Sequence, residues 1–149
     1  MGIATELADA VVTELNAKTD WRFPFHAERI AAVRRDVRDL NELCVSVIPA
    51  SIDYARQARD YIRSTVEIDI GVQKHLDGTE SDPVADLGSL VDQIARYLTG
   101  RKLSHKPNAK PIGTANEPIY IQEHLLQKSV FTSVVSLKYQ IIEEEAKED

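Results

Sequence analysis

YIRSTVEIDIGVQK, residues 61–74, alternates apolar and polar side chains along most of its length. Ile62, Val66, Ile68, Ile70 and Val72 fall on one side of a pleated chain, and Arg63, Thr65, Glu67, Asp69 and Gln73 on the other, which is the period of a strand with one buried face. At about 3.3 Å per residue the stretch would reach roughly 45 Å, beyond the usual strand of about 3 to 10 residues. Part of it is therefore expected to project past the sheet or to bend near Gly71.

Working outward, the apolar run Leu43-Cys44-Val45-Ser46-Val47-Ile48, closed by Pro49, reads as a second strand. The arginine-rich segment 27–37, with Ile30 and Ala32 on one side of the pleat, reads as a third. Residues 50–60 fit either a helical turn or a polar hairpin loop and are taken as a loop. A last strand is expected over residues 130–142, with Phe131, Ser133, Val135, Leu137, Tyr139 and Ile141 on one face and Thr132, Ser136, Lys138 and Gln140 on the other.

Two helices flank these strands. Ile3, Leu7, Ala8, Val11, Val12 and Leu15 recur at three- and four-residue spacing and mark one helical face over residues 3–18. The helix ends before the aromatic connector 19–25, because Pro24 lacks an N–H and biases Phe23 away from helical geometry. A second helix starts where Ser81 or Asp82 can cap and Pro83 takes the first position. It carries the stripe Val84, Leu87, Leu90, Val91, Ile94, Ala95 and Leu98 and stops at Gly100.

Residues 101–117, with Pro107, Pro111 and Gly113, read as a long loop that is mobile in the isolated subunit, followed by a short extended piece at 118–121. The pattern predicts an α+β fold, a mostly antiparallel sheet with two helices on one face in the order α-β-β-β-α-β. Leu15, Ile68, Val91 and Leu137 are its expected core. Residues 1–142 form one domain, and residues 143–149 an acidic, disordered tail.

The 149 residues suit a single core, and 43% hydrophobic against 28% charged residues is the balance of a globular protein. A net charge of −6 argues against gripping a phosphate backbone, so no sequence-specific nucleic acid is expected as a partner. The first residues lack the basic and apolar regions of a signal peptide, and no apolar stretch approaches about 18 residues. No membrane partner and a cytoplasmic site of synthesis are the corresponding expectations.

Chemistry-bearing patterns are sparse. The single cysteine, Cys44, lies in an apolar run and reads as a buried, inert thiol. His26, His75, His105 and His124 are dispersed, without the three- or four-residue spacing of many metal sites. No glycine-rich phosphate loop or nucleophile elbow occurs. No catalytic residue, metal or cofactor is assigned.

Two groups remain as candidate interfaces. Glu67 and Asp69 share the polar face of the long strand, and Arg101, Lys102, Lys106 and Lys110, with His105 among them, form a basic cluster in the long loop. A solvated or partner-facing role outweighs acid–base work for the carboxylates. The basic cluster lacks the interleaved aromatics of a nucleic-acid groove, which favours a protein contact.

Several stretches together resemble the tail terminator, or tail completion, proteins of long-tailed bacteriophages. They are the opening helix ending near Trp21, Leu43-Cys44-Val45-Ser46-Val47-Ile48-Pro49, Glu67-Ile68-Asp69-Ile70-Gly71-Val72-Gln73-Lys74, Asn116-Glu117-Pro118-Ile119-Tyr120 and Phe131-Thr132-Ser133-Val134. The resemblance spans nearly the whole chain. It implies subunits that close into a ring, hexameric by resemblance, at the head-proximal end of the tail. There the ring ends tube growth and presents a head-joining surface, with the tail tube protein and the head–tail connector protein as partners. Assembly would take place in the host cytoplasm and the product would reside in the virion tail. A connector or other neck protein shares the ring logic, and a small-molecule enzyme using Glu67, Asp69 or His75 is the alternative of a different class.

Overall fold

The alternating stretch forms the middle strand of a five-stranded sheet. The structure is a computed structural model that describes residues 2–31, 40–76, 83–117 and 119–144. Its elements in chain order are α1 (Ile3–Ala17), β1 (Ala27–Arg29), β2 (Cys44–Ala58), β3 (Tyr61–His75), α2 (Pro83–Leu98), β4 (Lys110–Asn116), α3 (Gln122–Lys128) and β5 (Val130–Glu144). The expected succession of helix, three strands, helix and strand is present, with β4 and α3 added before the last strand. The fold is α+β.

Across the sheet the order is β1-β2-β3-β5-β4, antiparallel at every joint except the short parallel pairing of β1 with Val45, Ser46 and Val47 of β2. β3 does not project past the sheet as expected: β5 pairs with it along its whole length, from Tyr61↔Glu144 to His75↔Val130, and β2 pairs with it from Tyr61 to Gln73. Each of β2, β3 and β5 has 15 residues.

Residues opposite one another across a sheet share a face. Val66, Ile68, Ile70 and Val72 thus stand beside Tyr139, Leu137, Val135 and Ser133, and all eight are buried. On this face lie α1, against β1 to β3, and α2, against β4 and β5. Leu15, Ile68, Val91 and Leu137 are all at most 1% exposed, as expected of the core. Trp21 closes the space between the helices: its ring meets Tyr97 edge-on at 5.2 Å, its indole N–H donates to the Leu15 carbonyl at 3.1 Å, and Lys18 lies over both rings.

Four expectations change. Residues 50–60 are not a loop: β2 continues to Ala58 and pairs with β3 up to Ala58↔Tyr61, so the chain turns at Arg59 and Asp60. In this distal half of β2 only Ile52 packs against the core and most other residues are exposed, so backbone pairing with β3 does most to extend it. Segment 27–37 is extended only at its start, since β1 ends at Arg29, and residues 32–39 lie outside the described residues. Residues 118–121 are not an extended strand piece either, for Ile119 and Tyr120 bend into the unanticipated helix α3, and Pro118 lies outside the described residues. At the C-terminal end Glu143 and Glu144 extend β5, while residues 145–149 fall outside the described set, as does the cap expected at Ser81 or Asp82.

The segment 101–117 is also tied down where a mobile loop was expected. Leu103 and Ala109 are buried in the core cluster, and residues 110–116 are β4. The decisive anchor is Glu14 of α1, 5% exposed, whose Oε1 accepts the Ser104 backbone N–H at 2.6 Å. Burial pushes the Glu14 carboxyl up. The Ser104 backbone and hydroxyl, the Arg101 charge and the Tyr97 hydroxyl outweigh it and hold the group below its ordinary value. Beside this anchor the buried Tyr139 hydroxyl has no hydrogen-bond partner among the described residues. Burial, then the Glu14 charge, raises its pKa far above the usual phenol range.

Because the folded state holds Glu14 ionised more firmly than the unfolded chain, its contribution is present above the ordinary glutamate pKa and fades as pH falls through the lower folded value. Glu14→Gln should therefore lower stability by about 1–3 kcal/mol near neutral pH, and the deficit should shrink in acid. Denaturant melts of both proteins at neutral and acidic pH check this. A second test concerns Ser129, which ends α3 in the left-handed region at φ 53°. Ser129→Gly should raise stability by about 0.5–1 kcal/mol, the left-handed penalty less the extra chain entropy of glycine.

Candidate assembly surface

The face of the sheet turned away from α1 and α2 is polar through its middle. Glu67 of β3 sits opposite Lys138 of β5, and Asp69 opposite Ser136, whose hydroxyl donates to Asp69 Oδ1 at 2.9 Å. With Gly113, Thr114, Ala115 and Glu117, three of these four, Glu67, Lys138 and Ser136, line an open trough of about 420 Å³. The two expected carboxylates are thus neighbours on one half-buried surface. His75 stands six residues beyond Asp69 on the same strand, roughly 20 Å away at the rise of a β-strand, so the three groups do not converge.

Toward the other end this face is closed. Ser46, Gln73 and Thr132 are buried there, and His124 of α3 shares a 2.8 Å hydrogen bond with the Thr132 hydroxyl. Cys44 lies on the same side and is half-buried, not fully buried as expected, because it opens β2 at the rim of the sheet.

The basic cluster does not form one patch. Arg101 lies flat on Tyr97, its guanidinium 3.9 Å from the ring centroid, and its Nε donates to the Tyr97 carbonyl at 2.9 Å. Lys106 reaches back to Glu6 of α1 at 3.1 Å. Lys102 and Lys110 are exposed, and neither forms an ion pair among the described residues. Lys110 belongs to the edge strand β4. Half of the cluster therefore holds the 101–109 segment to the helices, and half remains directed outward.

Two features dominate the periphery, and the sequence pointed to only one of them. One is the distal end of the sheet, where β2 and β3 run beyond the helices with the end of β5. Tyr54, Tyr61 and Ile142 are exposed on this arm, Tyr54 at 67%. The other is the pair of sheet edges. β4 has a strand neighbour only on its β5 side, and β2 has none beyond Val47 on its outer side, among the described residues. The length of residues 61–74 was the one signal that pointed to the arm. The edges could not be found without knowing that β4 exists.

Among the described residues no cluster of three or more histidine, cysteine, aspartate or glutamate side chains could hold a metal ion. No helix of the described residues is long and apolar enough to cross a membrane.

The division of the basic residues can be measured. Arg101→Ala should cost about 1 kcal/mol through the lost stacking and carbonyl contacts, and Lys106→Ala up to about 1 kcal/mol. Lys102→Ala and Lys110→Ala should leave the melting curve unchanged. Equal losses at all four positions would contradict the division.

Against models of protein families and against curated proteins, the chain finds no match.

Proposed function

We propose that this protein is a structural component of a bacteriophage tail that assembles into a ring at the head-proximal end, ends growth of the tail tube and offers the surface to which the head is joined. The observation that carries the reading is the shape of the sheet: a long three-stranded core reaching past its helices, with edges open on both sides among the described residues. An open edge is a liability in a monomer and a joint in an assembly. The pattern-level resemblance of the sequence to tail terminators points the same way.

Mechanistically the work is geometric. A head-to-tail contact that returns to its start after a fixed number of subunits gives a closed ring, and a closed ring stacked on a tube end hides the surface that would accept the next tube subunit. The polar trough with Glu67, Asp69 and Lys138, and the outward Lys102 and Lys110, supply charged rim contacts that set orientation and register more than affinity. The partners on this reading are a second copy of the chain, the tail tube protein and the head–tail connector protein. Synthesis and assembly take place in the host cytoplasm, and the ring ends in the virion tail. No catalytic step, metal or cofactor is part of this role.

Electron microscopy of the purified protein, alone and added to polymerising tail tubes, tests the proposal. Closed rings and tubes capped at one end, with growth arrested, are the expected outcome. A protein that stays monomeric at high concentration and leaves the tube-length distribution unaltered would sink it.

A further inference from the structure

We propose that subunits join in the plane of the sheet, the outer edge of β4 in one copy adding antiparallel to the open edge of β2 in the next, with Lys110 of the first opposite Asp53 of the second. This rests on the self-assembly reading above and names the surface that performs it.

Strand direction supplies the first argument. β2 and β5 run one way and β3 and β4 the other. A neighbour displaced sideways, and turned only about the strand direction as a closed ring requires, therefore brings its β4 against β2 in the antiparallel sense, the pairing with hydrogen bonds perpendicular to the strands.

Axial level supplies the second. Tracing paired residues across the sheet, Lys110 stands on the row of Gln140, Thr65 and Asp53, and Ala115 on the row of Ser136, Asp69 and Ile48. Thus β4 from Lys110 to Ala115 occupies the rows of β2 from Asp53 to Ile48, and its last residue, Asn116, the row of Val47. β1 covers β2 only as far as Val47, where the Ile30 N–H donates to the Val47 carbonyl at 3.0 Å. Among the described residues β2 has no outer neighbour from Ile48 to Ala58, and β4 of a level neighbour would fill the part of that edge from Ile48 to Asp53, abutting β1 at the Val47 row.

Side chains supply the third. Rows preserve faces, so Lys110 and Asp53 meet on the same, polar side of the sheet. Both are exposed and oppositely charged, and neither has an ion-pair partner among the described residues. Ile112, 46% exposed at the bulge of β4, and Tyr54, one residue beyond Asp53, flank the seam with apolar surface. Each edge also carries a proline and a bulge, Pro49 with a shift before Ser51 and Pro111 with a shift before Gly113. Prolines and bulges blunt an edge against continuous pairing, so the seam is short and its register rests on the opposition of Lys110 and Asp53.

Within one chain, Asp53 and Lys110 are separated by three inter-strand steps, roughly 14 Å. A disulfide spans at most about 7 Å between Cα atoms, so cysteines at the two positions can link only different chains. The test is mild oxidation of Asp53→Cys/Lys110→Cys in a Cys44→Ser background, read on a non-reducing gel, with light scattering of the unsubstituted protein beside it. A ladder of linked multimers is expected from the double variant, a linked pair from a mixture of the two single variants, and neither from each single variant alone. Moving one partner up the arm, in Gln57→Cys/Lys110→Cys, should abolish the ladder. Dimers from one single variant alone would show an isologous contact and overturn the proposal. An oligomer by light scattering that gives no ladder would overturn this seam while leaving ring assembly standing, and a monomer that neither links nor caps tubes would remove both.

Discussion

Backbone pairing along the full length of β3 is the constraint from which the rest of the structure follows. Its N–H and C=O groups are satisfied by β2 on one side and β5 on the other, and leaving them unpaired away from water would cost more than any side-chain contact in the molecule returns. The alternation of Val66, Ile68, Ile70 and Val72 then fixes which face is buried, because a slip of one residue would turn all four outward. The two helices dock on that face since it is where their apolar stripes can be covered. The opposite face, relieved of that duty, is free to carry Glu67, Asp69 and Lys138.

The same pairing explains why the sheet outruns its core. Core burial stabilises the rows from Ser64 to Val72, Ile141 opposite Ser64 included, but the ladder continues to Tyr61 and Glu144, where hydrophobic burial contributes little. The arm is held by hydrogen bonds between neighbouring strands and by the tight turn at Arg59 and Asp60, with the Arg56 guanidinium donating to the Arg59 carbonyl at 3.0 Å. An extension of this kind stabilises the isolated subunit very little, and its exposed aromatic residues are better suited to contact with another surface than to water.

Legibility in the sequence tracked burial. Where one face is buried the period shows, as in β3, β5, α1 and the stripe of α2, and the α+β class with its core was readable from these alone. Where burial is slight the code is weak: in residues 50–58 only Ile52 packs against the core, and the strand runs on because β3 lies beside it. β4 hid behind Pro111 and Gly113, residues that ordinarily mark loops but are tolerated at an edge with a bulge. The Glu14 anchor was invisible for another reason. A glutamate in an amphipathic helix reads as solvent-facing, and only the return of Ser104 from 90 residues away gives it a buried partner. Of the candidate surface, the carboxylate pair on β3 was legible from alternation, whereas the split of the basic cluster depended on where Tyr97 and Glu6 came to lie.

The position of β5 in the chain bears on how the molecule comes to be folded. This strand follows all the other elements yet sits between β3 and β4, so the sheet has no continuous ladder until it is made. During synthesis the β2–β3 hairpin can close early, since its ends are near in sequence. It then presents the long bare edge of β3 to the cell until β5 arrives. Every contact between β3 and β5 also closes a long loop, which slows folding and lengthens the interval in which that edge is exposed. The subunit is thus most prone to wrong association before it is complete, at an edge that the finished fold buries in its middle.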